Sequence, residues 1–213
     1  MRFMPSRTDR RVFGKIAEEY DLVYFGTVDP RVDADYVAVR GLTASPHQLD
    51  ENYTAGNVYD YAVAFLQRAR TVRLVNGQNQ RRRWTILQIQ LHSRNWPLIV
   101  INGRSRSEEY GALLASYFRL SEIGRSQLPP AAVDFAGMFA VYARLESVGT
   151  VAQLFTPEMQ AMLVTYFAAF DYELKDDKLI IYSTNTDVTL DILDRMLRVG
   201  LWWARQIDAA PSE

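Results

Sequence analysis

The side chains that most often perform catalysis are scarce in this chain. It has no cysteine and two histidines, His47 and His92. The missing cysteines exclude disulfide scaffolds, Cys-ligated zinc and cysteine nucleophiles. A Ser-His-Asp arrangement would need one of the histidines, and no G-x-S-x-G elbow accompanies them; the nearest string, GRSRS at 103–107, lacks the second glycine. We therefore predict that neither histidine is catalytic.

Phosphate-loop and metal-binding motifs are also missing from the sequence. Gly14-Lys15 is not followed by Ser or Thr, and no G-x-G-x-x-G occurs. Asp29, Asp33 and Asp35 are close enough in sequence to touch a hard cation, but they lack the glycine and distal glutamate of an EF-hand loop. We interpret them as solvated loop acids, and the sequence predicts no metal, no cofactor and no catalytic residue.

Basic charge is concentrated in the middle of the chain. The net charge is −1, yet residues 68–106 contain nine arginines and no Asp, Glu or Lys, and both flanking stretches are acidic. One interpretation is that acidic helices neutralise this stretch internally. The other is a basic surface for an anionic partner, since the guanidinium fork binds carboxylate or phosphate through two hydrogen bonds. A GC-rich genome would by itself explain why Arg outnumbers Lys 21 to 3.

The densest cluster in that stretch is the candidate binding site. Its members are Arg68, Arg70, Arg73, Arg81, Arg82, Arg83 and Trp84. An aromatic ring among arginines could stack on a base or another ring. Because no RNA-binding signature accompanies it, nucleic acid is disfavoured against an anionic lipid surface or an acidic protein.

A central β-hairpin is expected to position this cluster. A long strand or a bulged pair at 58–75 is followed by Asn76-Gly77, a strong hairpin signal, and by a return strand at 81–92. The return strand alternates, with a core face and a half-wet face. The expected core face is Thr85, Leu87, Ile89 and Leu91; the expected half-wet face is Trp84, Ile86, Gln88 and Gln90.

The remaining elements also favour hairpins over βαβ units. Helices are predicted at 9–20 (capped by Thr8), 107–118, 156–169 and 187–207, and strands at 22–25, 36–42, 97–101 and 135–145. A second hairpin joins 172–175 to 178–183, and 45–56 is expected to be a flexible loop. The predicted fold class is α+β, an antiparallel or mixed sheet with helices packed against it. We expect one domain over residues 8–208, with flexible termini at 1–7 and 209–213.

The last predicted helix is apolar on more than one side. It is either buried deep in the domain, or one apolar stripe, with Trp202 and Trp203, packs on another subunit or a membrane. No stretch is long and apolar enough to span a bilayer, and no signal-peptide core follows the N-terminus. We therefore expect a soluble, cytoplasmic chain.

The sequence as a whole, over roughly 12–207, resembles a bacterial family of unknown function. The resemblance is carried by residues 17–24 (AEEYDLVY), the hairpin at 58–91, Phe135, Phe139 and Val141, and residues 154–159 (LFTPEM). It implies an α+β domain that follows one or two N-terminal transmembrane helices, which would put it on the cytoplasmic face of a membrane. The basic residues Arg2, Arg7, Arg10 and Arg11 would suit such a position.

Three hypotheses about function follow. The first is a non-enzymatic binding or interaction domain that uses the Arg-rich hairpin for an anionic surface or an acidic protein. The second is a hydrolase-like enzyme with an unrecognised site of carboxylates and arginine. The third is a structural subunit that assembles through its C-terminal helix.

Overall fold

The main element of the fold is an antiparallel sheet. The computed structural model describes residues 6–29, 39–45, 48–73, 77–93, 95–106, 114, 120–184 and 187–209. The strands in this part are β1 (Val23–Val28), β2 (Asp50–Val58), β3 (Tyr61–Arg73), β4 (Asn79–Gln90), β5 (Trp96–Gly103), β6 (Ser121–Glu122), β7 (Phe139–Ala143), β8 (Asp171–Asp176) and β9 (Lys178–Ser183). They form one sheet in the order β1-β2-β3-β4-β9-β8-β5-β7-β6, and all neighbours are antiparallel. The predicted α+β class is confirmed.

Helices pack mainly on one face of this sheet. In the described part of the chain they are α1 (Arg7–Glu19), α2 (Phe135–Met138), α3 (Val148–Leu154), α4 (Pro157–Tyr166) and α5 (Leu190–Ala209). Among these helices, none combines the length and the hydrophobicity that crossing a bilayer requires. The caps follow local chemistry: Thr156 Oγ1 accepts from Met159 N at 3.2 Å, as predicted, whereas Ser6, not Thr8, caps α1 by accepting from Asp9 N at 3.0 Å.

The two faces of the sheet carry two apolar cores. The larger core joins α1 and α5 to the face of β3 and β4 that holds Phe65 and Leu87. The smaller core lies on the opposite face, around Leu66, Trp84 and Ile86. Val39 and Leu42 of the irregular segment 39–45 belong to it, so this segment is part of what covers the second face.

Both hairpins are confirmed, with one difference in exposure. β3 pairs with β4 from Val63↔Ile89 to Arg73↔Asn79, and Gly77 has the positive φ (+82°) that the turn requires. The face of β4 predicted to be half-wet is mostly buried: Trp84 and Ile86 are 0% exposed. The alternation in sequence shows two faces but cannot show that both become core.

Three predicted elements differ from the structure. The predicted loop 45–56 instead contains most of β2, whose polar residues Asp50, Asn52 and Thr54 are fully buried. Asn52 Nδ2, for example, donates to Gln67 Oε1 at 2.7 Å. Buried polar side chains can occupy a strand when they find hydrogen-bond partners, but the sequence then lacks the apolar alternation by which a strand is predicted. Residues 39–42 of the predicted strand 36–42 are irregular, and the rest of it lies outside the described residues.

The predicted strand 135–145 is also partly wrong, because it begins with helix α2, where Asp134 Oδ1 accepts from Gly137 N at 3.2 Å. The strand proper is β7. Of the predicted helix 107–118, only Leu114 lies within the described residues, where it is helical.

A buried ion pair holds the centre of the smaller core. Arg68, 1% exposed, donates from Nε to Asp50 Oδ1 (2.7 Å) and from Nη2 to Asp50 Oδ2 (2.8 Å). Its guanidinium also donates to Thr43 Oγ1 (3.1 Å) and to the carbonyl of Val39 (2.8 Å). One guanidinium therefore ties β2, β3 and the segment 39–45 together.

A second buried carboxylate fixes the same segment. Glu173 Oε2 accepts from Leu42 N at 2.8 Å and from the Tyr182 hydroxyl at 2.6 Å. The chain passes so close that a Cβ at Gly41 would lie 2.3 Å from the Tyr182 hydroxyl oxygen, so only glycine fits there. Burial raises the pKa of the Glu173 carboxyl, and the hydrogen bonds from Tyr182 and Leu42 oppose that rise only in part.

The first prediction concerns the Arg68–Asp50 pair. Arg68→Met leaves the Asp50 carboxylate buried without its cation, and we expect a loss of about 3–5 kcal/mol in the free energy of unfolding, measured by urea denaturation. The matched control is Arg125→Met at a side chain 77% exposed, which should change stability by no more than about 0.5 kcal/mol. Equal effects of the two substitutions would contradict the central role of the pair.

The second prediction concerns pH and Glu173→Gln. A carboxyl whose folded pKa is raised stabilises the fold most when protonated, and that contribution is lost as pH rises through the raised pKa. The stability of the wild type relative to Glu173→Gln should therefore fall as pH rises from the ordinary glutamate value of 4.5 toward neutrality. Urea denaturation of both proteins across this range measures their free energies of unfolding. If the stability of the wild type relative to Glu173→Gln instead rises with pH, the fold stabilises the ionised carboxylate and the prediction is wrong.

Candidate anion-binding surface

The β3–β4 hairpin continues past the strands on either side of it. β2 pairs with β3 as far as Asp50↔Arg68, and β9 pairs with β4 as far as Thr85↔Ser183. Beyond them, residues 69–73 and 79–83 pair with each other. We call these two stretches the arm.

Every charged residue of the arm is an arginine, and the register distributes the arginines over both faces. Directly opposite residues share a face. Arg70↔Arg82 therefore places two guanidinium groups on one face, and Arg81 and Arg83 lie on the other, opposite Thr71 and Ala69. The fifth arginine of the arm is Arg73, whose side chain lies outside the described residues.

Internal partners already hold the arginines at the base of the arm. Arg83 Nη2 lies 3.0 Å from Glu51 Oε2 and donates to Gln67 Oε1 at 2.8 Å. Its Nη1 lies 2.9 Å from Asp9 Oδ2, an ion pair whose geometry is not that of an aligned hydrogen bond. Arg70 Nη1 donates to the backbone carbonyl of Ala44 at 3.2 Å. Arg83 is therefore an anchor between the arm, β2 and α1.

The Arg83–Asp9 contact brings a second basic group to the base of the arm. Asp9 lies in the first turn of α1, and the same part of the helix carries the exposed residues Arg7 and Arg10, with Arg11 next in the chain and also exposed. The sequence places these arginines about 70 positions from the arm. No local signal predicts that they meet, since the contact forms through packing of α1 on the sheet.

Two members of the predicted binding cluster cannot contact a partner. Trp84 is 0% exposed in the smaller core, and Arg68 is 1% exposed and engaged by Asp50 and the segment 39–45. The prediction that an external ring stacks on Trp84 is therefore wrong. Arg81 is exposed and Arg70 and Arg82 are half-buried, so a binding role of the remaining arginines stays a prediction.

The other arginines of the basic stretch have internal partners where the structure describes them. Arg104 Nη2 lies 2.5 Å from Glu122 Oε1. Arg106 bonds to the buried Asp171, at 2.9 Å from Nη2 to Oδ1, and to the carbonyl oxygens of Ala168 and Phe170. Arg104, Arg106 and Arg83 are therefore neutralised internally, as the first interpretation of the charge predicts, and a basic surface on the rest of the arm stays a prediction.

The C-terminal helix has one buried and one partly exposed tryptophan. Trp203 is 0% exposed and packs edge-on against Tyr172, with ring centroids 4.7 Å apart. Trp203 is thus core and not an interface residue. Trp202 is half-buried, its ring 5.3 Å from that of Phe167, and it lines a shallow groove of about 350 Å³ with Tyr59 and Arg205.

The described histidine takes part in a structural cluster. The His92 ring stacks on Tyr61 with centroids 4.7 Å apart, and Asp208 accepts from the Tyr61 hydroxyl (3.0 Å) and from Ser93 N (2.7 Å). Burial, then the bond to Asp208, raises the pKa of Tyr61 to about 12. Burial would raise the pKa of Asp208, but the hydrogen bonds from Ser93, His92 and Tyr61 prevail and hold it below the usual value. These contacts fix the end of α5 to the sheet.

Metal-binding groups are not assembled in the described part of the chain. No cluster of three or more His, Asp and Glu suited to an ion occurs among those residues. His47, Asp33 and Asp35 lie outside them, and so do Arg2 and Arg94. Two neighbouring clefts of about 400 and 280 Å³ near Phe135 have a single carboxylate in their described walls, that of Asp134, which is too few for paired acid–base work.

Comparison with known proteins identifies a fold but no family. No protein-family model and no curated protein matches the chain. The crystal structure of the mycobacterial trehalose monomycolate transport factor A, TtfA, is similar, with a TM-score of 0.62 and 12% sequence identity over 95% of this chain and 94% of that chain. At this identity the likeness concerns the fold alone, and the resemblance to a family of unknown function stays a prediction.

The third prediction separates anchor from surface within the arm. Arg83→Ala leaves the partly buried Asp9 and Glu51 without their cation and should cost about 2 kcal/mol in the free energy of unfolding. Arg81→Ala removes an exposed arginine two residues away on the same strand and the same face, and should cost no more than about 0.5 kcal/mol. Urea denaturation of the two variants measures the contrast, and a larger loss for Arg81→Ala would reverse the assignment.

Proposed function

We propose that this chain is a non-enzymatic interaction domain that binds an anionic partner through the arm and the first turn of α1. The observation that carries the proposal is the arm itself, a pair of strands with five arginines and no acid that continues beyond its neighbours in the sheet. The carboxylates of Asp9 and Glu51, at the base of the arm, are already engaged by Arg83.

The fold agrees with a role in interaction. The similar structure is that of a protein named as a transport factor, and the same architecture would serve this chain as a scaffold for a binding surface. This support is an analogy between folds, and the proposal for this chain rests on the arginines of the arm.

The enzyme alternative finds less support in the geometry. Three buried carboxylates of the described part hold structural partners, since Asp50 binds Arg68, Asp171 binds Arg106, and Glu173 accepts from Leu42 N. A catalytic acid or base needs room beside it for a substrate, and these three groups are covered by their own partners.

The fourth prediction tests anion binding directly. The wild type should bind two soluble polyanions, fluorescently labelled polyglutamate and inorganic polyphosphate, and the affinity should fall as salt screens the charges. In Arg81→Ala/Arg82→Ala the affinity should fall by about tenfold for each arginine, since a hydrogen bond to a charged group contributes about 1.5 kcal/mol. Fluorescence anisotropy titrations measure both effects.

The matched control for this test is Arg125→Ala/Arg144→Ala. These side chains are 77% and 56% exposed and lie next to β6 and β7, so the control removes the same charge at another place. Equal losses in the two double variants would mean that only net charge matters. No binding by the wild type at low salt would overturn the proposed function.

A further inference from the structure

A groove on the outer side of α5 lies at the opposite end of β3 from the arm. The turn that precedes β3 forms one wall, whereas the arm begins where β3 passes Arg68. We call this site the α5 groove; it has a volume of about 350 Å³, and its walls include Tyr20, Tyr59, Arg198, Leu201, Trp202 and Arg205. Aromatic and apolar walls with a few polar groups are typical of small-molecule sites, and this volume is near the lower limit of such sites.

Tyr59 occupies a backbone position that favours glycine. It is the first of the two residues between β2 and β3, since Val58 pairs with Tyr61, and its φ is +56°. A bulky residue is strained at such a φ. The side chain is 76% exposed, so burial does not compensate for the strain. This cost without a gain in the core indicates that the ring contacts something outside the chain.

Arg205 holds the Tyr59 ring at one end of the α5 groove. Its guanidinium carbon lies 5.2 Å from the centroid of that ring, a cation–π contact. The Arg205 side chain is exposed, and no carboxylate of the described residues forms an ion pair with it. Asp208, three residues further along α5, accepts hydrogen bonds from the Tyr61 hydroxyl and from Ser93 N. The N–H donors of Arg205 can therefore serve an anion in the groove.

The other end of the α5 groove is already neutralised. Arg198 Nε lies 2.9 Å from Asp194 Oδ2, and the Tyr20 hydroxyl donates to Asp194 Oδ1. Between the two ends lie the side chains of Leu201 and the half-buried Trp202. The groove therefore offers an apolar, aromatic middle and one available cation at the end formed by Arg205 and Tyr59.

Charge complementarity and the aromatic walls together define the ligand. A guanidinium donates two parallel hydrogen bonds to a carboxylate. Aromatic rings pack favourably against other aromatic rings in offset or edge-on geometry. We infer that the α5 groove binds a small aromatic carboxylate, with its carboxylate on Arg205 and its ring against Tyr59 and Trp202. This site is separate from the arm, so the inference goes beyond the proposed function.

Titration of the whole chain with hydrocinnamate tests the inference. The matched neutral probe is hydrocinnamamide, which has the same ring and chain but no charge. In two-dimensional proton–nitrogen NMR spectra the indole N–H signal of Trp202, identified with Trp202→Phe, should shift with hydrocinnamate, whereas those of the buried Trp84 and Trp203 should not. Hydrocinnamamide should bind about tenfold more weakly, the factor that a hydrogen bond to a charged group contributes.

Variants separate the cation from the ring. Arg205→Ala should bind hydrocinnamate about tenfold more weakly. The matched control Arg195→Ala removes a cation that is 52% exposed on the same helix and outside the groove, and it should bind as the wild type does. Tyr59→Gly should weaken the binding of both probes about fivefold. It should not lower the urea midpoint, since glycine relieves the strain of the positive φ.

Each of the following results would contradict the inference. Equal affinities for hydrocinnamate and hydrocinnamamide, or equal losses in Arg205→Ala and Arg195→Ala, would overturn the role of Arg205 and with it the carboxylate. A lower urea midpoint for Tyr59→Gly with unchanged binding would show that the ring is structural. No shift of the Trp202 signal up to the solubility limit of hydrocinnamate would overturn the site, while the proposed function of the arm, measured with polyanions, would stand.

Discussion

The ion pair between Arg68 and Asp50 is the interaction on which the rest of the structure depends. It joins the first residue of β2 to β3, and it holds the segment 39–45 against the smaller core through Thr43 and Val39. Removing two charges from water is costly, and a buried pair is tolerated only when its donors and acceptors find partners. The bidentate contact and the two additional acceptors meet that requirement.

The same need for partners explains why several arginines of the basic stretch are structural. Arginines that reach a carboxylate or carbonyl of the fold become structural, as Arg83, Arg104 and Arg106 do. The arm begins where the neighbouring strands stop, and its charged residues are all arginines. The packing of α1 then adds its own arginines to that end of the sheet. The positions of these arginines are thus set by where strand pairing stops and where the helix is anchored.

The likeness to TtfA at 12% identity shows how little sequence this architecture requires. An antiparallel sheet with one face under helices depends on apolar residues at the right period, which many sequences supply. Side chains that bind a partner are not fixed by that requirement. The arm must therefore be judged by its own residues and register, since the fold it belongs to is compatible with many surfaces.

Periodicity and local chemistry in the sequence determined the fold class, both hairpins and the start of α4, because turn residues, caps and apolar spacing act within a few residues. Tertiary structure decided the rest. The sequence predicts a loop over most of β2, because its buried residues are polar and become strand only through partners such as Gln67. The sequence located the arginine cluster, but the ion pairs that hold some of its members join residues as far apart as Asp9 and Arg83. Alternation places Trp84 on a half-wet face, whereas its burial depends on the distant segment that covers that face.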